Sequence, residues 1–124
     1  MKDIEKLKAA TSQPAVPEDG VKLVSASAIT PVPIDWLWDG YLAAGKLHLL
    51  AGTPGTGKTT IAMAFAATVS HGGRFPDGER ARSGTVLIWT AEDDPQDTLV
   101  PRLIASGADL AKVHFITGMV EEGK

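Results

Sequence analysis

The sequence predicts an α/β protein built on a parallel sheet. Three observations carry this reading. Apolar, β-like runs alternate with helical stretches from Lys46 onward, a glycine-rich octapeptide joins the first run to the first helix, and a group of acids follows the second run directly. Strand, helix, strand, helix, strand in that order is the signature of strands laid parallel with helices packed over them.

The first 20 residues mix charges with small residues, Pro14 and Pro17, and end in Asp19-Gly20. They hold no apolar stripe long enough to offset the entropy of ordering, so residues 1–33 are expected to be a flexible tail and arm. Within them Val21 to Ile29 is mildly β-like, an edge strand or an extended arm, before Pro31 and Pro33 interrupt regular structure. Trp36, Leu37, Trp38 and Tyr41 form an aromatic cluster. It reads better as a lid packed over the core than as a platform for a nucleotide base.

Leu47 to Ala51 is a short apolar run between Gly45 and Gly52, the pattern of a buried parallel strand. Thr59 to about Ser70 is Ala-rich, a helix stopped by Gly72-Gly73. His71 to Gly84 is a turn-rich connection. Thr85 to Thr90 is β-branched and apolar, a second buried strand. Asp94 is an expected N-cap with Pro95 at the first helical position. That helix should reach about Ser106 and end at Gly107, kinked or split by Pro101. Val113 to Thr117 reads as a third strand.

Gly52-Thr53-Pro54-Gly55-Thr56-Gly57-Lys58-Thr59 matches the phosphate-loop pattern G-x-x-x-x-G-K-[ST]. The chemistry explains the spacing. Glycines at 52, 55 and 57 admit positive φ and let the backbone approach phosphates without a Cβ. Successive amides then form an anion nest, and the helix starting near Lys58 adds the positive end of its dipole. Lys58 brings a full charge to the β- and γ-phosphates, and the Thr59 hydroxyl is placed to hold Mg²⁺. Thr60 completes the expected binding set. ATP is favoured over GTP because no guanine-reading Asn-Lys-x-Asp motif is present.

Glu92, Asp93 and Asp94 follow the second strand. In a parallel sheet the carboxyl ends of neighbouring strands share one edge, where ligands bind. Glu92 there can orient or deprotonate an attacking water, or all three acids can be a solvated helix start. Asp94 fits the cap better, and Asp93 stays open between the two roles.

Trp36 to Tyr41, Gly45-Lys46-Leu47, the loop, Val86 to Pro95, Arg102-Leu103 and Gly107-Ala108-Asp109 together resemble RecA-like ATPases of the RepA-type hexameric replicative helicase group, an AAA-type module. The resemblance covers roughly residues 34–118. It implies a three-layer parallel sheet of RecA-like P-loop NTPase type, Glu92 as catalytic base for ATP hydrolysis, and Lys58 and Thr59 as the loop lysine and hydroxyl. It also implies a ring of identical subunits acting on single-stranded DNA when complete. The family's Walker B strand ending in Asp, its DNA-contacting loops and its arginine finger have no counterpart here. Residues 34–124 therefore read as a truncated, N-terminal half of such a core. Two other functions stay open: a nucleotide-binding fragment without hydrolysis that works through a partner, and a small-molecule kinase with Arg74, Arg80 and Arg82 as lid cations. Those arginines read more simply as a solvated surface.

Composition bounds the rest. The chain has 124 residues, a formal net charge of −3 and no cysteine, which excludes disulfides and thiolate metal sites and argues against a broadly basic nucleic-acid-coating surface. His48, His71 and His114 match no ligand spacing and read as structural. No apolar run approaches the ~20 residues of a bilayer span, so no membrane partner and a cytoplasmic location are expected.

Overall fold

The computed structural model describes residues 19–123, in two units, Met1–Pro33 and Ile34–Lys124. The expected tail over residues 1–18 lies outside the described residues. In the first unit, Asp19 to Pro33 is exposed throughout, and its one element is a 3-10 turn, Ala26–Ala28. Val21 to Ile29 is thus not a strand. The Ser25 and Ser27 hydroxyls meet at 2.8 Å over the turn.

The second unit opens with a small antiparallel pair, β1 (Trp36–Trp38) and β2 (Leu42–Ala43). Gly40, at φ 78°, turns the chain between them, and the Tyr41 amide donates to the Trp38 carbonyl at 3.0 Å. Helix α1 (Lys58–His71) follows, then β3 (Val86–Ile88), helix α2 (Val100–Ala105) and β4 (Val113–Phe115). β3 and β4 are parallel, in the register Val86 with Val113 and Ile88 with Phe115.

The helix starts and stops obey local chemistry. Gly72, at φ 65°, closes α1, and the Gly73 amide reaches back to the Thr68 carbonyl at 2.9 Å, which satisfies the last turn. The Asp94 side chain accepts from the Gln96 amide at 2.7 Å, so the expected cap is present. The helix beyond it is split, as Pro101 predicts. Pro95–Leu99 is a π turn, with the Asp94 carbonyl accepting from both Thr98 (3.1 Å) and Leu99 (3.2 Å), and regular α geometry starts only at Val100.

Leu47 to Ala51 overturns an expectation. No ladder among the described residues includes this run, and Leu47 is 99% exposed. Apolarity can mark a segment as suited to a sheet, but only a neighbour's amides and carbonyls make it a strand. The described residues form two separate two-stranded sheets rather than a three-layer parallel sheet.

Helix α1 serves two cores. Met63 and Ala66 join Leu99, Leu103 and Val113, with Val86, Ile88 and Phe115 against them. Phe65 and Val69 lie against Trp38, Phe75 and Ala81. Burial of Leu99 and Leu103 stabilises by roughly 1.5–3 kcal/mol each. Trp38 stacks on Phe75 with centroids 4.6 Å apart and planes 3° from parallel, and on Tyr41 at 4.3 Å. The aromatic cluster is a packed lid. The Trp38 indole N–H donates to Asp77 Oδ2 at 2.8 Å. Between the cores the buried Ser70 hydroxyl donates to the Ala67 carbonyl at 2.7 Å and accepts from the Asp109 amide at 2.9 Å, which ties the end of α1 to the approach to β4.

Candidate nucleotide site

The loop takes its shape from glycines that act in two different ways. Gly55 (φ 79°) and Gly57 (φ 90°) hold left-handed conformations that a side chain disfavours. Gly52 does not have positive φ, contrary to the expectation for all three. Its reason is space, because a Cβ there would stand 3.1 Å from Thr56 Oγ1. That hydroxyl is committed, donating to the Thr53 carbonyl at 2.7 Å across the loop.

Gly57 is the N-cap of α1 and supplies no side-chain acceptor to the first-turn amides. Those donors stay available to an anion at the positive end of the helix dipole. Lys58 Nζ donates to the Gly52 carbonyl at 2.6 Å and the Thr53 carbonyl at 2.9 Å, so its ammonium lies against the loop's own backbone. Turning it to phosphate oxygens exchanges neutral acceptors for charged ones, a gain in hydrogen-bond strength. The loop leads into a helix as expected, but the segment before it is the unpaired Leu47 to Ala51 run.

A cleft of about 470 Å³ joins the loop to the acidic segment. Pro54, Gly55, Gly57, Lys58, Thr59 and Thr60 line it from the loop side, and Glu92 and Asp93 from the segment after β3. Gly52, Thr53 and Thr56 do not line it; they form the base that shapes the loop. The Thr90 hydroxyl holds the acids in place, accepting from the Glu92 and Asp93 amides at 3.3 Å each. This brace was missed from sequence, although a hydroxyl two residues before a turn is a known local acceptor. Asp94 does not line the cleft, in keeping with its cap role. Arg102, on α2, does line it and was also missed as a site residue.

A larger hollow of about 600 Å³ adjoins the cleft and shares Lys58, Thr59, Glu92 and Asp93. Its other walls are largely apolar, including Leu50, Met63, Ile88 and Leu99. Size alone would favour it, but a polyphosphate needs the amides and cations of the smaller cleft.

The three arginines of the turn-rich connection stand elsewhere. Arg74 donates to the Gly78 carbonyl (2.8 Å), Arg80 to the Gly72 carbonyl (3.2 Å), and Arg82 pairs with Asp35 (3.1 Å). They staple the connection and do not line the cleft. Among the described residues no group of three or more His, Cys, Asp or Glu is placed to hold a metal. Within the same residues no helix is long and apolar enough to cross a membrane.

Comparison with known proteins agrees with the loop chemistry. A sequence model described as the AAA domain matches residues 11–123. ATPase BagA of Mycobacterium tuberculosis is 51% identical over 37 residues, 30% of this chain and 11% of that protein. The Mycobacterium bovis protein named "Putative ATPase Mb3704" gives the same identity and coverage. The match thus spans about a ninth of those relatives' length. No solved structure matches the chain.

Proposed function

The chain belongs to the AAA domain family, and on that premise we propose that its Gly52–Thr59 loop binds ATP and that Glu92 is the base for its hydrolysis. Family membership supports reading it as an ATP-binding ATPase domain. One observation supports the finer reading: the loop's Lys58 and Thr59 and the carboxylates of Glu92 and Asp93 line one cleft.

The roles divide by element. Loop amides and the first-turn amides of α1 receive the β- and γ-phosphates, and Lys58 neutralises charge on them. The Glu92 carboxylate accepts a proton from the water that attacks the γ-phosphorus; the bond to the β–γ bridging oxygen breaks, and ADP and phosphate leave. The Thr59 hydroxyl with a neighbouring carboxylate supplies oxygen donors of the kind that hold a hard cation. Mg²⁺ held there would draw charge from the phosphate oxygens when bound. Thr90 is a positioning residue, fixing the backbone that carries Glu92.

The motor reading goes further: a helicase-type ATPase acting on single-stranded DNA as a ring of copies. It is supported by the runs around Trp36, the loop and Val86 to Pro95 that resemble RepA-type proteins. The kinase alternative loses its support, because Arg74, Arg80 and Arg82 are bonded away from the cleft. The hydrolysis-deficient fragment remains the second reading.

Two variants test the assignment. Lys58→Ala should weaken binding of a fluorescent ATP analogue by about tenfold or more, the loss of a charge-assisted contact. Glu92→Gln should keep binding but lower turnover by about 10²–10⁴-fold, the usual range for a general base. Equal turnover by wild type and Glu92→Gln removes Glu92 from the role; binding without turnover in wild type selects the fragment reading. Stimulation of turnover by single-stranded DNA separates a motor from a plain ATPase.

A further inference from the structure

Arg102 is the fourth arginine of the described residues and differs from the other three. Arg74, Arg80 and Arg82 each donate to a carbonyl or carboxylate. Among the described residues the Arg102 guanidinium makes no hydrogen bond and no ion pair. It nevertheless lines the cleft with Lys58, Thr59, Thr60, Glu92 and Asp93. A guanidinium carries five donors in a planar fork, so an unengaged one in a phosphate-binding cleft is matched to an oxyanion.

Its backbone is held rigidly. Leu99 and Leu103, on either side of it in sequence, are 1% and 0% exposed and anchor this stretch in the core. The π turn at Pro95–Leu99 adds one residue to the helical path and so shifts the phase of everything after it by about 100°, given 3.6 residues per turn. Without that extra residue, position 102 would lie on a different face of α2. The last bond of the π turn is donated by the Val100 amide to the Pro95 carbonyl, and Pro101, with no amide, donates no further helical bond.

The charge balance gives the reason for a cation here. Of the cleft residues, Lys58 and Arg102 are positive, and Glu92 and Asp93 are negative, which sums to zero. Without Arg102 the sum is −1, and a polyphosphate would meet a net repulsive site.

We propose that Arg102 is a second cationic phosphate-binding residue, contributed by α2, that pairs with the nucleotide's phosphate oxygens alongside Lys58. The inference rests on the phosphate-loop reading above. Lys58 acts as a point charge from the loop, and Arg102 as a fork from a separate element. The two cations together balance the acids that the cleft requires for hydrolysis.

Calorimetry on the 124-residue chain with Mg²⁺ tests this, using ATP and inorganic tripolyphosphate as separate probes. Arg102→Gln should weaken both by about tenfold to a hundredfold, the range for a hydrogen bond to a charged group. Arg102→Lys should recover part of that loss, because it restores charge without the fork. Far-UV circular dichroism and the thermal midpoint are read first, and Arg102→Met, which keeps the aliphatic stem, repeats the measurement with packing preserved. Tripolyphosphate affinity unchanged in both Arg102→Gln and Arg102→Met overturns the inference. So does a loss confined to ATP, which would put the guanidinium on the nucleoside. Lys58→Ala is the internal control. If it too binds like wild type, the phosphate-loop reading itself fails; if it alone loses affinity, only the Arg102 assignment does.

Discussion

At position 57 the constraint on the loop is conformational, and at position 52 it is steric, though both residues are glycine. Gly57 sits at φ 90°, and a Cβ built there meets nothing within 4 Å. Gly57→Ala therefore costs only backbone strain, about 1–2 kcal/mol, visible as a lower urea midpoint. Gly52 has ordinary φ, and its Cβ would crowd Thr56 Oγ1 at 3.1 Å. Gly52→Ala should weaken ATP binding, and adding Thr56→Ala should restore part of the loss by removing the crowding atom. The double variant measures a coupling that a purely conformational cost would not show. Strict additivity of the two single effects would sink the steric account. The phosphate loop was legible because its motif is a list of such local requirements. Arg102 and Thr90 were not, because their roles depend on a helix phase and on a hydroxyl's direction, which no short pattern encodes.

Elements follow the same division. Helix α1 could be read from its Ala-rich run and the Gly72-Gly73 stop, and the Asp94 cap from its place before Pro95. β3 and β4 could be read from their β-branched and apolar residues. Leu47 to Ala51 could not, since strand formation depends on a neighbour that composition does not reveal. The short β1–β2 pair read only as an aromatic cluster, and the contact that pins it spans 39 residues, from Trp38 to Asp77. That contact has a pH signature. The Trp38 indole N–H, and secondarily the Glu79 amide, hold the Asp77 carboxyl below the ordinary carboxylate value. A carboxyl depressed in the folded state stabilises above its unfolded pKa, and the stabilisation disappears as pH falls through the folded one. Asp77→Asn should thus be less stable than wild type at neutral pH, with the gap closing below the carboxylate range. Urea midpoints for both proteins at neutral and acid pH check the sign. A gap that is constant or widens in acid would show that the carboxylate charge is irrelevant to the lid.

For the whole molecule, the relevant fact is how much apolar surface the described fold leaves uncovered. Leu47, Leu49, Leu87 and Trp89 are all more than half exposed, and each described sheet has only two strands. Two-stranded sheets are marginal without further packing, and exposed apolar runs beside free strand edges favour association. Formal charge opposes this weakly, because −3 over 124 residues gives little mutual repulsion. Contact between copies through the Leu47 to Ala51 run should therefore win at micromolar concentrations and above. Sedimentation velocity over a concentration series should show the apparent mass rising. Leu49→Lys should move that rise to about tenfold to a hundredfold higher concentration, since fully burying a leucine is worth about 1.5–3 kcal/mol and a charge there forfeits it. The substitution lies outside the nucleotide cleft, so ATP affinity per chain should stay as in wild type. A monomer at every concentration, unfolding in one cooperative transition, would mean that the exposed run is covered within a single chain in solution.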